Sequence, residues 1–289
     1  MCIRDSIGGY LGAGKTTLVN ELLALTDRPI AVLVNDIGAV NIDAALVAAR
    51  TTDTIELTDG CVCCEMTEGI GVAFNALRDR PTPPDHVVIE LSGAANPGRV
   101  APWGNSPGFR LDGVVVTVDA LAAAEIDADP TEGPRFREQL AWADLAVLTK
   151  ADLVDPSSLA HTRALIRGLE PNLTIVEKSD ATTSPAHLLN LGTRRPLGAT
   201  DLPEPTLFDP YLVESIPIDQ PADAAEIESL LDRLTSQPGP MLRAKGILPG
   251  IGGTKLLVQV VGRRRRIERL TQAEDQPTTP LVVIRQGNT

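Results

Sequence analysis

The first residues able to do chemistry form a phosphate-binding loop: Gly9-Tyr10-Leu11-Gly12-Ala13-Gly14-Lys15-Thr16 has the spacing G-x-x-x-x-G-K-[ST]. Its glycines let successive backbone N–H groups turn inward around phosphate oxygens. Lys15 would reach the β- and γ-phosphates of a nucleotide, and the Thr16 hydroxyl would bind Mg²⁺. The helix that follows directs its positive end at the same phosphates. The alternative is a glycine-rich turn before a helix. The predicted nucleotide-binding residues here are Gly9, Gly12, Ala13, Gly14, Lys15, Thr16 and Thr17.

Glu90 is the predicted carboxylate of the magnesium site, because it ends an apolar run at residues 86–89. Asp119 ends a later run and is a second candidate, and Asp36 is a further one. Gly93 follows Glu90 in the pattern Glu-x-x-Gly, where a glycine can donate its N–H to a γ-phosphate and act as a hinge. The alternative for Glu90 is a solvated residue at a strand end. The residues assigned to catalysis are Lys15, Thr16, Glu90 and Gly93, and those assigned to Mg²⁺ are Thr16, Asp36 and Glu90.

A candidate base-recognition segment, Thr149-Lys150-Ala151-Asp152, follows a later buried run. In the sequence Asn-Lys-x-Asp, the Asp accepts from the guanine N1–H and amino group while the Lys stem lies across the ring. Thr149 replaces Asn here, so one stabilising amide is missing, whereas Lys150 and Asp152 keep the direct contacts. We therefore predict guanine rather than adenine. The alternative is a helix N-terminus that Asp152 caps.

Three thiols lie within four residues at Cys61, Cys63 and Cys64. Thiolates bind soft or borderline ions such as Zn²⁺ or Cu(I). Cys61 and Cys63 alternate to one side of an extended chain, and Cys64 can join them after a turn. Three ligands leave one tetrahedral position open, which suits an ion that is handed on. The alternative is three small, buried apolar side chains; Cys2 is not expected to be a ligand.

Composition argues against several classes of protein. The chain has 289 residues, of which 43% are hydrophobic and only 3% aromatic, so aliphatic side chains must fill one large or two moderate cores. A formal net charge of −12 argues against binding to nucleic acid or an anionic membrane. No apolar run approaches the ~18 residues that span a bilayer, and no signal peptide is visible. Crowded cysteines do not form a disulfide framework, so we expect a cytoplasmic location.

Buried strands alternate with helices along the first two thirds of the chain. Apolar runs predict strands at 29–35, 54–57, 86–89, 113–118, 145–148 and 173–176, and helices are predicted at 65–79 and 156–169. This alternation predicts an α/β fold, a P-loop NTPase parallel sheet with helices on both faces. Functional residues then lie at the carboxyl ends of the strands, where the polar motifs fall.

The strand expected directly before the phosphate loop looks poor, because Arg4 and Asp5 interrupt it and Gly8 adds no side chain. Either this strand is short, or the first six residues are not native and form a sequencing or expression scar. We favour the second interpretation. A well-paired strand through Arg4 and Asp5 would count against it.

A second, small α+β domain is predicted after a linker at residues 201–205. Strands are expected at 211–218, 241–248, 255–260 and 281–284, with a helix at 221–235. We place the domains at 1–195 and 205–289. The run Arg263-Arg264-Arg265-Arg266 is interpreted as a solvated turn between strands, and the alternative is a docking site for an acidic client.

These motifs, in this order, resemble the CobW-like family of metal-handling P-loop GTPases, which is related to the nickel-insertion GTPases HypB and UreG. The resemblance covers nearly the whole chain and includes Leu242-Arg243-Ala244-Lys245-Gly246 as the family's Arg-x-Lys-Gly strand. It implies a GTP-dependent metallochaperone, most often for zinc and sometimes for cobalt, that uses GTP/GDP, Mg²⁺ and Zn²⁺ or Co²⁺. It also implies that GTP orders the three cysteines around the metal. Hydrolysis would then release the ion to a client metalloprotein or metal-cofactor biosynthesis enzyme, and a homodimer is compatible with this.

Four positions depart from the family pattern. Asp36 stands where Glu is common, Ala39 where an acidic residue is common, Asn96 where Asp is frequent, and Thr149 where Asn is usual. These changes bear on hydrolysis rate and guanine selectivity more than on the fold. The histidine-rich stretch of some members is missing, and we expect surface or strand-edge positions for His86, His161 and His187.

Three functions are compatible with these residues. The leading hypothesis is a slow GTPase that delivers a metal, since no catalytic Gln or arginine finger is evident. The second is a non-catalytic, nucleotide- and zinc-sensing regulatory binding module, which metal-stimulated GTP hydrolysis would exclude. The third is a phosphotransferase acting on a small molecule, against which the segment from Thr149 to Asp152 argues.

Overall fold

The computed structural model describes residues 2–25, 30–34, 54–56, 73–100, 109–178, 211–261, 264–270 and 278–286. The described residues form two compact units, one containing those up to 178 and the other those from 211 onward. The predicted domain boundaries at 195 and 205 lie outside the described residues and stay predictions.

The first unit contains a seven-stranded sheet in which all described neighbours pair in parallel. Its strands are β1 (Cys2–Gly9), β2 (Ile30–Val34), β3 (Thr54–Glu56), β4 (His86–Glu90), β5 (Phe109–Asp119), β6 (Leu145–Thr149) and β7 (Thr174–Glu177). Their spatial order is β3-β2-β4-β1-β5-β6-β7. Every residue of β2, β4 and β6 is buried, as strands covered on both faces require. The predicted α/β fold with a parallel sheet is confirmed.

The helices of this unit connect the strands. They are α1 (Lys15–Leu25), α2 (residues 73–78), α3 (Pro97–Val100), α4 (Ala123–Ala128), α5 (Glu132–Ala141) and α6 (Pro156–Leu169). The prediction for 156–169 is confirmed, whereas α4 and α5 were not predicted. Residues 65–72 of the expected helix at 65–79 lie outside the described part. None of the described helices is long and apolar enough to cross a membrane.

Strand β1 counts against the interpretation that the first residues are a sequencing or expression scar. From Cys2 onward it pairs with β4 and β5, and only a register shift against β5 marks the step from Arg4 to Asp5. Asp5 is 1% exposed, and its Oδ2 lies 2.5 Å from Nε2 of His86 on β4. His86 is also 1% exposed, so its expected surface position is wrong. A polar residue fits inside this sheet because the adjacent strand provides its partner.

The second unit is an antiparallel five-stranded sheet with one helix packed on a face. Its elements are β8 (Tyr211–Ile216), α7 (Ala224–Thr235), β9 (Met241–Pro249), β10 (Lys255–Val261), β11 (Arg264–Leu270) and β12 (Leu281–Gln286). The strand order is β11-β10-β9-β12-β8. On α7, Ile227, Leu231 and Leu234 pack into one core with the alternating residues of β10. The predicted α+β domain is confirmed.

Three residues of the arginine run form a strand rather than the predicted turn, and the fourth, Arg263, lies outside the described residues. Arg264, Arg265 and Arg266 lie in β11, where Arg265 is opposite Val260 of β10. Arg265 Nη1 donates to Asp232 Oδ1 at 2.6 Å and to Glu228 Oε2 at 2.9 Å, both on α7. These hydrogen bonds, that of Asp232 first, raise the pKa of Arg265. Strand alternation directs this side chain to the helix, which the sequence run alone did not reveal.

Candidate nucleotide-binding site

The phosphate loop connects the carboxyl end of β1 to the first turn of α1. Gly9 has φ 132°, and a Cβ there would lie 2.3 Å from Oγ1 and 2.4 Å from the carbonyl oxygen of Thr117 on β5. Only glycine fits this approach. Gly12 and Gly14 also have positive φ, at 74° and 89°. The spacing of the glycines therefore corresponds to positions where the backbone turns in ways that other residues resist.

Lys15 begins α1 and is 6% exposed. Its Nζ donates to the carbonyl oxygens of Gly9 at 2.9 Å and Tyr10 at 3.2 Å. The ammonium group thus lies over the loop that precedes it, beside the N-terminus of the helix. Both sources of positive potential, the ammonium and the helix end, are on the same side of the loop.

Thr16 and Glu90 lie in contact although they are 74 residues apart, with Thr16 Oγ1 donating to Glu90 Oε1 at 2.6 Å. Glu90 is 1% exposed and ends β4, where it is opposite Ile7 of β1. Neighbouring parallel strands end at the same edge, which brings the carboxylate to the loop after β1. A hydroxyl and a carboxylate oxygen are hard ligands of the kind that Mg²⁺ prefers, so this pair fits that ion. Asp36, the third predicted ligand, lies outside the described residues.

Thr149 attaches the end of β6 to the phosphate loop. Its Oγ1 donates to the carbonyl oxygen of Ala13 at 2.9 Å and is 3.3 Å from that of Val118. The sequence suggested a lost stabilising amide at this position. The hydroxyl keeps one attachment to the loop, which the sequence did not predict because Ala13 is 136 positions away.

Lys150 makes a second attachment. Its Nζ donates to the Gly12 carbonyl oxygen at 2.9 Å and lies 2.7 Å from Oδ2 of Asp119. Lys150 has φ 57°, the one positive value among the described non-glycine residues. Such a backbone is unfavourable for an L-residue, and these two contacts hold it. Asp119, a second candidate for the magnesium site, is thus paired with Lys150. Asp152 is exposed in the 3₁₀ turn Ala151–Leu153.

Gly93 packs directly against the phosphate loop. A Cβ at Gly93 would lie 2.5 Å from Cδ2 and 2.7 Å from the backbone nitrogen of Leu11. The carbonyl oxygens of Gly93 and Ala95 both accept from Nε2 of Gln139, at 3.1 and 3.0 Å. Gln139 was not predicted. Its burial could have been inferred from its position between Phe136 and Leu140, which lie on the apolar face of a helix.

The predicted thiol ligands lie outside the described part of the chain, as does Ala39. They are Cys61, Cys63 and Cys64. Within the described ranges, no group of three or more His, Cys, Asp or Glu side chains is placed to hold a metal ion. The metal-binding assignment therefore stays a prediction.

Residues 5–177 match the nucleotide-binding domain of the CobW/HypB/UreG family. The chain belongs to this family. Residues 215–288 match the C-terminal domain of the cobalamin synthesis protein CobW. In this CobW-type domain, Arg243, Lys245 and Gly246 lie in β9, and Lys245 is 4% exposed. The Arg-x-Lys-Gly strand expected from the resemblance is therefore a strand of this sheet.

Named CobW relatives align over most of the chain. Identity to the zinc chaperone CobW of Sinorhizobium sp is 32%, covering 96% of this chain and 91% of that protein. The zinc chaperone YjiA of Escherichia coli strain K12 is 29% identical, over 83% of this chain and 79% of its own length. The crystal structure of Zn(II)-bound YjiA GTPase from E. coli aligns over 99% of this chain and 94% of that chain, with 21% identity and a TM-score of 0.43.

Proposed function

We propose that this CobW-family protein is a GTP-hydrolysing metal chaperone that couples the nucleotide to metal binding at Cys61, Cys63 and Cys64. The observation that carries the proposal is the contact of Thr16 with Glu90 beside Lys15. It brings a hydroxyl, a carboxylate and an ammonium group to one loop at the carboxyl edge of the sheet. That set of groups suits a nucleoside triphosphate with its magnesium ion.

The residues of the candidate nucleotide-binding site have separate roles in the proposed reaction. The loop from Gly9 to Thr17 surrounds the phosphates with N–H groups, and the Lys15 ammonium moves from loop carbonyls to the β- and γ-phosphates. Thr16 and Glu90 hold Mg²⁺, which neutralises charge on the phosphate oxygens when bound. The Gly93 N–H donates to the γ-phosphate. Lys150 lies along the guanine ring, while Asp152 accepts from its N1–H and amino group.

Hydrolysis is expected to be slow, because the sequence offers no evident catalytic Gln or arginine finger. We expect intrinsic turnover on the order of 10⁻⁴–10⁻² s⁻¹. The metal cargo is proposed to be Zn²⁺, with Co²⁺ next, since the aligned relatives are named zinc chaperones and thiolates suit borderline ions. Loss of the γ-phosphate would loosen the cysteine segment and release the ion to a client metalloprotein. We place this delivery in the cytoplasm.

Equilibrium titration of the full chain with Zn²⁺, Co²⁺ and Ni²⁺ tests the coupling, with GTPγS or GDP bound in parallel samples. We expect one tight metal equivalent with GTPγS and weaker binding with GDP. The double variant Cys63→Ser/Cys64→Ser should lose this equivalent and keep nucleotide affinity. Cys2→Ser is the matched control, because Cys2 lies at the start of β1 and is not one of the three cysteines of the motif.

The outcomes separate the proposal from the regulatory binding module. Metal affinity that is equal with both nucleotides would contradict the coupling. A protein that binds GTP and zinc but releases no phosphate, with or without metal, would be the regulator rather than the enzyme. Light scattering with GTPγS tests for a homodimer in the same samples.

A further inference from the structure

The chain from Glu90 to Val100 is held from one side by helix α5. Gln139 of that helix is 2% exposed and donates from one nitrogen to two carbonyl oxygens, those of Gly93 and Ala95. Gly93 is also confined by the phosphate loop, because Leu11 fills the space where a side chain would lie. The loop is thus fixed between the phosphate loop and a glutamine on α5.

A second contact from the same helix strengthens this hold. Asn96 is 2% exposed; its Nδ2 donates to Glu138 Oε1 at 2.6 Å, and its Oδ1 accepts from the Gly98 N–H at 2.7 Å. At Gly98 a Cβ would lie 2.1 Å from the Trp142 ring, just beyond the end of α5. The amide at position 96 suits Glu138 because it donates, whereas an aspartate would place two carboxylates together.

We propose that Gln139 is a positioning residue for the nucleotide site. By fixing the peptide that follows Gly93, it keeps the Gly93 N–H directed at the position of the γ-phosphate. The consequence is discrimination between GTP and GDP, since only GTP presents that phosphate. Asn96 and Glu138 anchor the next turn of the same loop. This inference rests on the proposed GTPase function and adds a residue that acts on the site without touching the nucleotide.

The test is Gln139→Leu in the full chain, which removes the donor and keeps most of the volume. Affinity for GTPγS should fall about ten-fold, the effect of losing about one hydrogen bond, and single-turnover hydrolysis should fall by at least as much. GDP affinity should change less than about two-fold. Arg137→Leu is the matched control on α5, because Arg137 bonds to Asp127 and not to the loop.

A rescue experiment covers the case in which Gln139→Leu folds poorly. Asn96→Asp alone should weaken GTPγS binding, because the introduced carboxylate would meet that of Glu138. Adding Glu138→Gln supplies a donor at position 138 and should restore the preference for GTPγS over GDP. The inference would be overturned if Gln139→Leu lost affinity for GTPγS and GDP equally. It would also be overturned if adding Glu138→Gln to Asn96→Asp did not restore GTPγS affinity. If the wild type itself hydrolyses no GTP, the proposed function fails; if it does and Gln139→Leu matches it, only the inference fails.

Discussion

The two units of this protein use buried polar side chains for different purposes. In the first unit, Lys15, Glu90 and Thr149 are each less than 7% exposed and converge on one loop at the carboxyl edge of the parallel sheet. In the antiparallel sheet, Arg285 is 5% exposed and binds the end of a helix. Parallel strands end at one edge and so bring together polar residues from distant parts of the chain. In the antiparallel unit, Arg285 instead supports the architecture of the unit itself.

Among the substitutions considered, Lys15→Ala should have the largest effect, which is a loss of GTP affinity. The variant loses the ammonium proposed to bind the β- and γ-phosphates, so we expect GTP affinity to fall at least about 100-fold, as for a charge-assisted contact. The far-UV circular dichroism should stay that of the wild type. Retained GTP affinity, measured by calorimetry, would contradict the role given to this lysine.

Gly93→Ala should lower hydrolysis more than about ten-fold, because the new methyl group would meet Leu11 of the phosphate loop at 2.5 Å. Single-turnover phosphate release measures this loss. Gly252→Ala is the control, because a methyl group at Gly252 would meet no other atom within 4 Å. We expect this variant to keep its hydrolysis rate and to lose some stability, since Gly252 has a φ of 72°. Normal hydrolysis in Gly93→Ala would show that the loop is not fixed against Leu11.

Arg285→Leu should destabilise the second unit without affecting the nucleotide. The guanidinium donates to the carbonyl oxygens of Leu234 at 2.6 Å and Gly239 at 3.2 Å and to Gln237 Oε1 at 3.0 Å. Losing these bonds leaves buried acceptors at the end of α7 and should cost about 2 kcal/mol of unfolding free energy. Urea unfolding gives that value. Weaker GTP binding in the variant would contradict the separation of roles between the units.

Arg265→Gln should cost the second unit less, about 0.5–1 kcal/mol, because its partners on α7 are partly exposed. The difference from wild type should shrink between low and high salt, as screening weakens exposed pairs. If the difference in unfolding free energy were the same at about 0.05 M and about 1 M salt, Arg265 would stabilise the unit by packing rather than by its charge. Unfolding in urea at the two salt concentrations provides the measurement.

Asp155→Asn should give the smallest effect and one that depends on pH. The hydroxyls of Ser157 and Ser158 hold the pKa of Asp155 far below its ordinary value, as the carboxylate caps α6. A depressed pKa stabilises the fold at pH values above the ordinary pKa of about 3.9, and this is lost as the pH falls through the lower native value. Wild type should therefore exceed the variant in Tm at about pH 6–7, with a narrowing gap below about pH 4. A gap that is constant with pH would contradict this origin.

The sequence predicted β2, β4 and β6 closely, because these buried strands are nearly continuous apolar runs that can be recognised without knowing their neighbours. It missed α4 and α5, whose mixed composition offers a weaker signal. The first residues of β11 were interpreted as part of a turn, since four adjacent arginines are typical of a solvated loop. The structure shows instead that Arg265 faces α7 from a strand. The pairing of β1 from Cys2 onward was unexpected for a related reason. Asp5 appeared incompatible with a buried strand, and its partner His86 is 81 positions away.

The sequence by itself determined the phosphate loop, the order of the strands along the chain and the candidate thiol ligands, because these depend on local spacing and residue type. Only the tertiary structure decided which side chains meet. Thr149 reaches Ala13 and Gln139 reaches Gly93 because the spatial order of the strands differs from their order in the chain. Contacts of this kind form between segments far apart in sequence, so no local pattern records them.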